Sequence, residues 1–370
     1  MKSKKNYYLP IFICLIIFFV ISIISIYSFL PYLPSSMQNL VIKQTIFYFI
    51  GIIFIIIINK IGINKILKYS FHIYIINIIL LFLVLFFGTK INGARAWFVI
   101  PIFGSFQPSE FMKIGITLMI AKVLHNNTKS DLSVIIKVFI ITLIPAILTF
   151  LEPDTGAIII YFSLAIFMLF IYGIKYRWFA VLFAIIAVGL FTILYLFFFK
   201  EKIFINLFGS SLFYRIDRLF DWTTSSGMQL ENSIIALASS GLFGHGTSNI
   251  PIYFPEGQTD FIFSSFVCLF GLTGMIFLII IIITFDLTLI KNLKRKENPS
   301  EKYIIAGFLG AIIYQQIQNI AMTIGLLPIT GITLPFISYG GSSLLSYMIF
   351  LGIIISDQDK KETSLYKRLK

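Results

Sequence analysis

Charge is scarce in this chain. Only 12% of its 370 residues are Asp, Glu, Lys or Arg, and 58% are hydrophobic. A soluble domain carries about twice that charge, so an ordinary soluble protein is excluded and a polytopic membrane protein is indicated. Cysteine is scarcer still. Cys14 and Cys268 both stand inside apolar runs. Their spacing suits no metal site, and both read as small apolar fillers rather than a disulfide. A soluble domain and internal repeats are also missing. The net charge of +13 raises the possibility of a nucleic-acid partner. Its distribution points instead to membrane orientation, with no nucleic acid.

What the chain has is a series of apolar runs. They cover about 8–29, 40–59, 67–88, 108–124, 133–151, 155–174, 178–199, 260–290, 303–327 and 342–356. Each is near the ~20 residues that a bilayer requires. The first follows Lys2, Lys4 and Lys5. It is too long for a signal peptide, and further spans follow at once. The expectation is an all-α polytopic membrane protein of about ten transmembrane helices. It forms a single membrane domain over 1–370 with a tail at about 357–370.

Ten spans put both termini on one side. Of the 29 Lys and Arg residues, 21 fall on that side and 8 on the other. The bias predicts that both termini are cytoplasmic. Glu110, Glu152, Asp154, Glu256 and Asp260 then fall outside, so the outer face is the candidate for chemistry. The one long loop, about 200–259, lies there too. Leu212, Ile216, Leu219 and Phe220 share a helical face with Arg215, Asp217, Arg218 and Asp221 between them, which predicts an interfacial helix. Gln229–Leu242 reads as a second short helix, packed on protein.

Three outer segments join proline and acid at the start of a span. In QPSEFMK (Gln107–Lys113), Pro108 suits the first helical position and Glu110 the first turn, with Lys113 on the same face. Lys113 is a turn inside an apolar helix, where a charge needs a partner or a polar cavity. In LEPDTGA (Leu151–Ala157), Asp154 or Thr155 suits a helix cap. In PEGQTDF (Pro255–Phe261), Thr259 or Gln258 suits the cap, leaving Asp260 in the first turn. NGARAWF (Asn92–Phe98) adds Arg95 and Trp97, which also fit plain interfacial anchoring. The segment LLPITGITLPFISYGGSS (Leu326–Ser343) breaks the apolar pattern with prolines, glycines and hydroxyls, Ser338 and Ser342 among them. Irregular backbone at membrane depth is tolerated where it is buried in protein or lines a cavity.

These segments, in this order, resemble the SEDS family (shape, elongation, division and sporulation), which includes RodA, FtsW and SpoVE. The resemblance rests on NGARAW, FQPSEFMK, EPDTGA, SGMQLENSIIALASSGLFGHG, FPEGQTDFIF and LPFISYGGSS. It implies a peptidoglycan glycosyltransferase of the bacterial cytoplasmic membrane that polymerises lipid II on the outer face of that membrane. A class B penicillin-binding protein transpeptidase and other elongation or division proteins are the implied partners. The essential aspartate of the family motif falls on Asp260, the conserved Glu and Lys on Glu110 and Lys113, and the loop's Arg and Trp on Arg95 and Trp97. Family members carry a Glu-Glu-Leu-Gly run soon after the aspartate. Here the segment reads SSFVCLFGLTG, without carboxylates. Short tails and short length lean towards RodA.

Asp260 is the expected general base, with Glu256 as loop structure. Substrate or cavity candidates are Glu110, Lys113, Arg95, Trp97, Gln258, Arg215, Arg218, Ser338 and Ser342. The cations among them are candidates for stabilising the leaving pyrophosphate, with a divalent cation (Mg or Mn) as a further candidate. The alternatives are a lipid II flippase, a polytopic O-antigen ligase or polymerase, and a non-catalytic scaffold.

Overall fold

The computed structural model describes residues 8–91, 94–100, 104–127, 131–210, 213–214, 216–217, 228–247 and 250–356. The tail at 357–370 and most of the expected interfacial helix, Arg215 and Arg218 included, lie outside the described residues.

Among the described residues, ten long helices follow the expected apolar runs. They are α1 (Leu9–Phe29), α2 (Leu40–Ile61), α4 (Ser70–Phe87), α5 (Pro108–His125), α6 (Asp131–Leu151), α7 (Thr155–Tyr172), α8 (Tyr176–Phe199), α11 (Ile262–Arg295), α12 (Pro299–Thr323) and α13 (Gly341–Ile355). Three shorter ones are α3 (Ile63–Lys68), α9 (Glu201–Phe208) and α10 (Met228–Ser239). Eight of the long helices are apolar and long enough to cross a membrane by length and composition. The other two are α5, which carries Glu110, Lys113 and Lys122, and α13, which has 15 residues.

The polar helices lie inside. The helix α12 packs against α7, α5 and α11, and α13 packs against α2 and α5. Close approach depends on small residues. A Cβ on Gly310 would lie 2.9 Å from the Leu164 Cα of α7, so only glycine permits that crossing. At the periphery, α8 buries Phe197 alone of its residues. Its apolar surface therefore faces lipid.

Breaks in the helices are repaired by partners, as a bilayer demands. Pro145 stands inside α6 and cannot donate to the Ile141 carbonyl one turn back. The Tyr74 hydroxyl of α4 donates to that carbonyl instead, at 2.8 Å. The helix α11 breaks at Gly271, whose φ is 63°. There the 241–246 loop supplies the missing bonds. The amides of His245 and Gly246 donate to the carbonyls of Cys268 and Leu269, at 2.9 and 3.0 Å. The amides of Leu272 and Thr273 donate to the carbonyls of Gly241 and Leu242, at 3.0 and 3.1 Å. This is where the chain departs from the family's Glu pair. Cys268 and Leu269 are buried, and they hold the loop through their backbone, which needs no carboxylate.

The outer segment before α5, read from sequence as a loop, contains three strands among its described residues. They are β1 (Thr89–Ile91), β2 (Ala94–Ile100) and β3 (Gly104–Phe106), in antiparallel order β1-β2-β3. Ile91 pairs with Ala94. The two residues between them in sequence are Asn92 and Gly93, the dipeptide that a two-residue hairpin favours. The second short helix appears as expected. In α10, Leu230, Ser233 and Ala236 are buried, and the Ser233 hydroxyl donates to Ser264 Oγ of α11 at 2.7 Å.

Candidate active site

A polar cavity of about 440 Å³ opens where α5, α7 and α13 begin, with the turn before α11 as one wall. Its lining includes Trp97, Gln107, Glu110, Asp154, Glu256, Thr259, Asp260, Gln315 and Ser342. The 330–333 and 339–343 stretches form another side, so the interrupted segment near the C-terminus does line a cavity.

The 255–261 turn is built by its own side chains. Glu256 holds φ at 59°, a left-handed conformation that a residue with a Cβ adopts only under constraint. Its carbonyl accepts from the amides of Thr259 and Phe261, at 3.1 and 3.0 Å. Its carboxylate accepts from the Thr259 hydroxyl at 2.6 Å. The helix itself starts at Ile262, with Phe261 in the cap position and no side-chain cap. This corrects the expected cap. Thr259 and Gln258 serve the turn, and Asp260 lies before the helix rather than in its first turn.

Neighbouring segments clamp the turn. The Ser338 hydroxyl donates to the Thr259 carbonyl at 2.6 Å, and the Tyr339 amide donates to the Gln258 carbonyl at 3.0 Å. The Asn319 amide group of α12 spends both N–H bonds on carbonyls, Asp260 at 2.8 Å and Ile332 at 2.7 Å. Asn319 therefore ties the two cavity-lining loops together. On the far side, the Gln44 amide of α2 donates to the Ser338 carbonyl at 3.1 Å.

Four carboxylates line the cavity, and three are occupied. Asp154 caps α7, accepting from the Ala157 amide at 3.0 Å, as one of the two expected candidates. Its other oxygen accepts from Gln107 Nε2 at 3.0 Å and from the Ser109 hydroxyl at 3.2 Å. Glu110 pairs with Lys113 at 2.5 Å. Glu256 is held by Thr259. The Asp260 carboxylate has no hydrogen bond or ion pair among the described residues. It stands beside Gly331, where an added Cβ would lie 3.6 Å from Asp260 Oδ2.

Burial pushes the Asp260 carboxyl up to about 7, with the neighbouring Glu256 carboxylate adding to the rise. Glu152 is pushed to about 9 by burial and by Asp154. Burial also raises Asp154 above the usual carboxylate range. A carboxylate near 7 is matched to taking a proton at neutral pH.

Two of the expected cations, Lys113 and Arg95, stand elsewhere. Lys113 is 1% exposed and lies behind Glu110, outside the lining. Arg95 donates to the Leu85 carbonyl at 3.3 Å and to that of Phe86 at 3.5 Å. It serves the C-terminal end of α4, where a cation complements the helix dipole. No Lys or Arg lines the cavity among the described residues. Gln258 and Ser338 are buried outside the lining and hold the turn. Ser342 does line it, donating to the Ser105 carbonyl at 3.1 Å and accepting from the Gln107 amide at 3.0 Å. Among the described residues no three His, Cys, Asp or Glu side chains are placed to hold a metal ion.

Sequence reasoning missed Gln315 and Asn319. Both belong to QQIQN, residues 315–319, inside α12. A run of amides in a transmembrane helix is itself a signal, because each must find a partner away from lipid.

The sequence matches the family model FtsW/RodA/SpoVE, described as cell cycle protein, over residues 8–362. It is 32% identical to the probable peptidoglycan glycosyltransferase FtsW of Wigglesworthia glossinidia brevipalpis, over 88% of this chain and 85% of that one. It is also 32% identical to the peptidoglycan glycosyltransferase MrdB of Helicobacter pylori, over the same shares. Among solved structures, the fold is similar to the Thermus thermophilus rod shape determining protein RodA. That match has a TM-score of 0.68 at 23% identity and covers 94% of this chain and 95% of that one. A chain of a peptidoglycan synthase complex matches with a TM-score of 0.74 at 23% identity, covering 92% and 96%. On the family match and the curated relatives together, this chain belongs to the FtsW/RodA/SpoVE family of cell cycle proteins.

Proposed function

We propose that the chain is a peptidoglycan glycosyltransferase that polymerises lipid II at the outer face of the cytoplasmic membrane. The observation that carries this reading is the Asp260 carboxylate. It is the one cavity acid without a bonding partner among the described residues, and it is poised near 7. The curated relatives at 32% identity carry the same activity in their names.

Asp260 takes the proton of the acceptor sugar hydroxyl as that oxygen attacks the anomeric carbon of the donor. The bond from that carbon to the lipid pyrophosphate breaks on the opposite face, so the configuration inverts. Pyrophosphate is a weak base and leaves without being protonated. One carboxylate is therefore enough, in contrast to the paired acids of glycoside hydrolases. The leaving charge does need neutralising. Gly341, Ser342 and Ser343 line the cavity at the start of α13, which has no side-chain cap. The first amides of a helix and its dipole favour an anion. Arg215 and Arg218 stay as candidates for the same task.

The lysine and arginine bias supports a topology with both termini in the cytoplasm. A class B penicillin-binding protein is the proposed partner, in keeping with the synthase complex that the fold resembles. The glycan strands serve cell elongation or division, since relatives named FtsW and MrdB match at the same 32%.

The pH dependence follows from Asp260. The base works deprotonated, so the rate is expected to rise with pH and reach half its plateau near 7. Glu256→Gln removes the neighbouring charge and moves that limb to lower pH. Burial, the larger cause, keeps it above the usual range. A kcat profile between about pH 5 and 9 checks this, and an unmoved limb would separate Glu256 from the base.

The reading is tested with purified protein in proteoliposomes containing fluorescent lipid II, with and without a class B transpeptidase and Mg or Mn. Glycan chains are expected. Scrambling of lipid II without polymer would make the protein a flippase instead.

A further inference from the structure

A buried cation reaches the cavity without entering it. Lys113 Nζ donates to Glu110 at 2.5 Å and to the Tyr347 hydroxyl at 3.2 Å. It also lies 4.6 Å from the centre of the Tyr347 ring. The Tyr347 hydroxyl donates in turn to Gln315 Oε1 at 2.6 Å. Gln315 is 1% exposed and lines the cavity.

The direction of this chain is fixed by its first member. An ammonium has no lone pair, so it only donates. The phenol oxygen that accepts from it passes its single proton onward. That proton holds the carbonyl end of the Gln315 amide. The nitrogen end is left over, and it has no hydrogen bond among the described residues. A glutamine in a transmembrane helix with an open amide needs an acceptor.

We infer that Gln315 is a substrate-contacting residue whose amide nitrogen donates to an oxygen of the lipid-linked sugar. Tyr347 and Lys113 are the positioning residues that turn it toward the cavity. This rests on the glycosyltransferase reading. It gives the buried ammonium a role beyond its pair with Glu110. Lys113 polarises the phenol, and the phenol orients the amide. The acceptor is either a sugar hydroxyl or a phosphate oxygen, and both share the chemistry of a lone pair facing an N–H.

The test is initial-rate kinetics on lipid II with purified full-length protein. Gln315→Met is expected to raise KM about 3- to 10-fold with kcat within about 2-fold of wild type, the signature of a contact made equally in ground and transition states. Tyr347→Phe should raise KM by a similar factor, because the amide is then free to turn. The double variant should be no worse than the worse single, since both break one path. Gln315→Glu keeps the acceptor for Tyr347 and separates the two sources. A hydroxyl can donate back to the carboxylate, and KM then moves about 10-fold or less. A phosphate cannot, and KM then rises by more than about 100-fold.

Unaltered KM in Gln315→Met, or KM effects that multiply fully in the double variant, would overturn the inference. So would a fall in kcat alone matched by a lowered melting temperature. Should the wild type make no glycan, the polymerase reading falls. Binding of lipid II labelled on its stem peptide to Asp260→Asn and Asp260→Asn/Gln315→Met proteins then decides Gln315 by itself. Weaker binding by the double variant supports it, and equal affinity overturns it.

Discussion

Asp260→Asn is expected to lower lipid II polymerisation by about 10²- to 10⁴-fold, the range that a positioned general base contributes. The variant should stay folded and inserted, with a melting temperature no lower than wild type. The sign follows from the raised pKa. Burial holds Asp260 at about 7 in the folded chain against an ordinary 3.8, so the folded state binds the proton more tightly than the unfolded state. Ionisation of Asp260 therefore costs stability, progressively as pH rises from the unfolded value to about 7 and fully above that. An asparagine carries no such cost. The backbone clamps from Asn319 and Ser338 act on carbonyls of Asp260 and Thr259 and survive the change. A near-normal glycan yield from this variant would falsify the base assignment. A collapsed melting temperature would move Asp260 from chemistry to structure.

The same clamps explain what could be read from the sequence and what could not. Asp260 and Glu110 stand at span boundaries, where an acid is conspicuous, and the charge bias put both on one side. Their convergence on one cavity depends on the starts of α5, α7 and α13 meeting at one end of the bundle, which periodicity does not encode. Arg95 shows the limit most clearly. A cation in an outer loop beside Trp97 reads as a ligand for an anionic donor. In the fold Trp97 lines the cavity while Arg95 turns back to the carbonyls that end α4. Residues two apart on a strand point to the same face, but a long side chain near a helix end finds the orphan carbonyls first.

The spans were legible because a bilayer leaves few choices of length. A length-and-composition criterion alone recovers eight helices, while the apolar runs at about 108–124 and 342–356 already marked α5 and α13 as spans. The strands were missed although Asn92-Gly93 marks a hairpin, because the strand before it, Thr89–Ile91, has three residues, too few for alternation to show. QQIQN was passed over for a related reason. Its four amides lie within a long apolar run, and each serves a different partner. Gln315 takes Tyr347, Gln316 donates to Asp286 of α11 at 3.2 Å, Gln318 to the Pro328 carbonyl at 2.9 Å, and Asn319 to the two loops. No single spacing rule would have assigned them.

Lys113→Met is expected to be the most destabilising single change at the site. Lys113 and Glu110 are 1% and 13% exposed, so neither charge is well solvated. Removing the lysine strands the glutamate, a loss on the order of 3–5 kcal/mol for a buried pair. A drop in melting temperature and in yield after detergent extraction would check it. Loss of activity in that variant says nothing about catalysis, because a misplaced Glu110 would disturb the cavity by itself. The informative protein is Glu110→Gln/Lys113→Met. With both charges gone no ion is stranded, and most of the stability is expected to return. Activity is expected to stay low, because Tyr347 has lost the ammonium that fixes the direction of its proton toward Gln315. Recovery of both stability and rate in the double variant would reduce the pair to scaffolding. Recovery of stability with KM raised by the factor seen in Tyr347→Phe would show that the buried charge acts on the substrate through Tyr347 and Gln315.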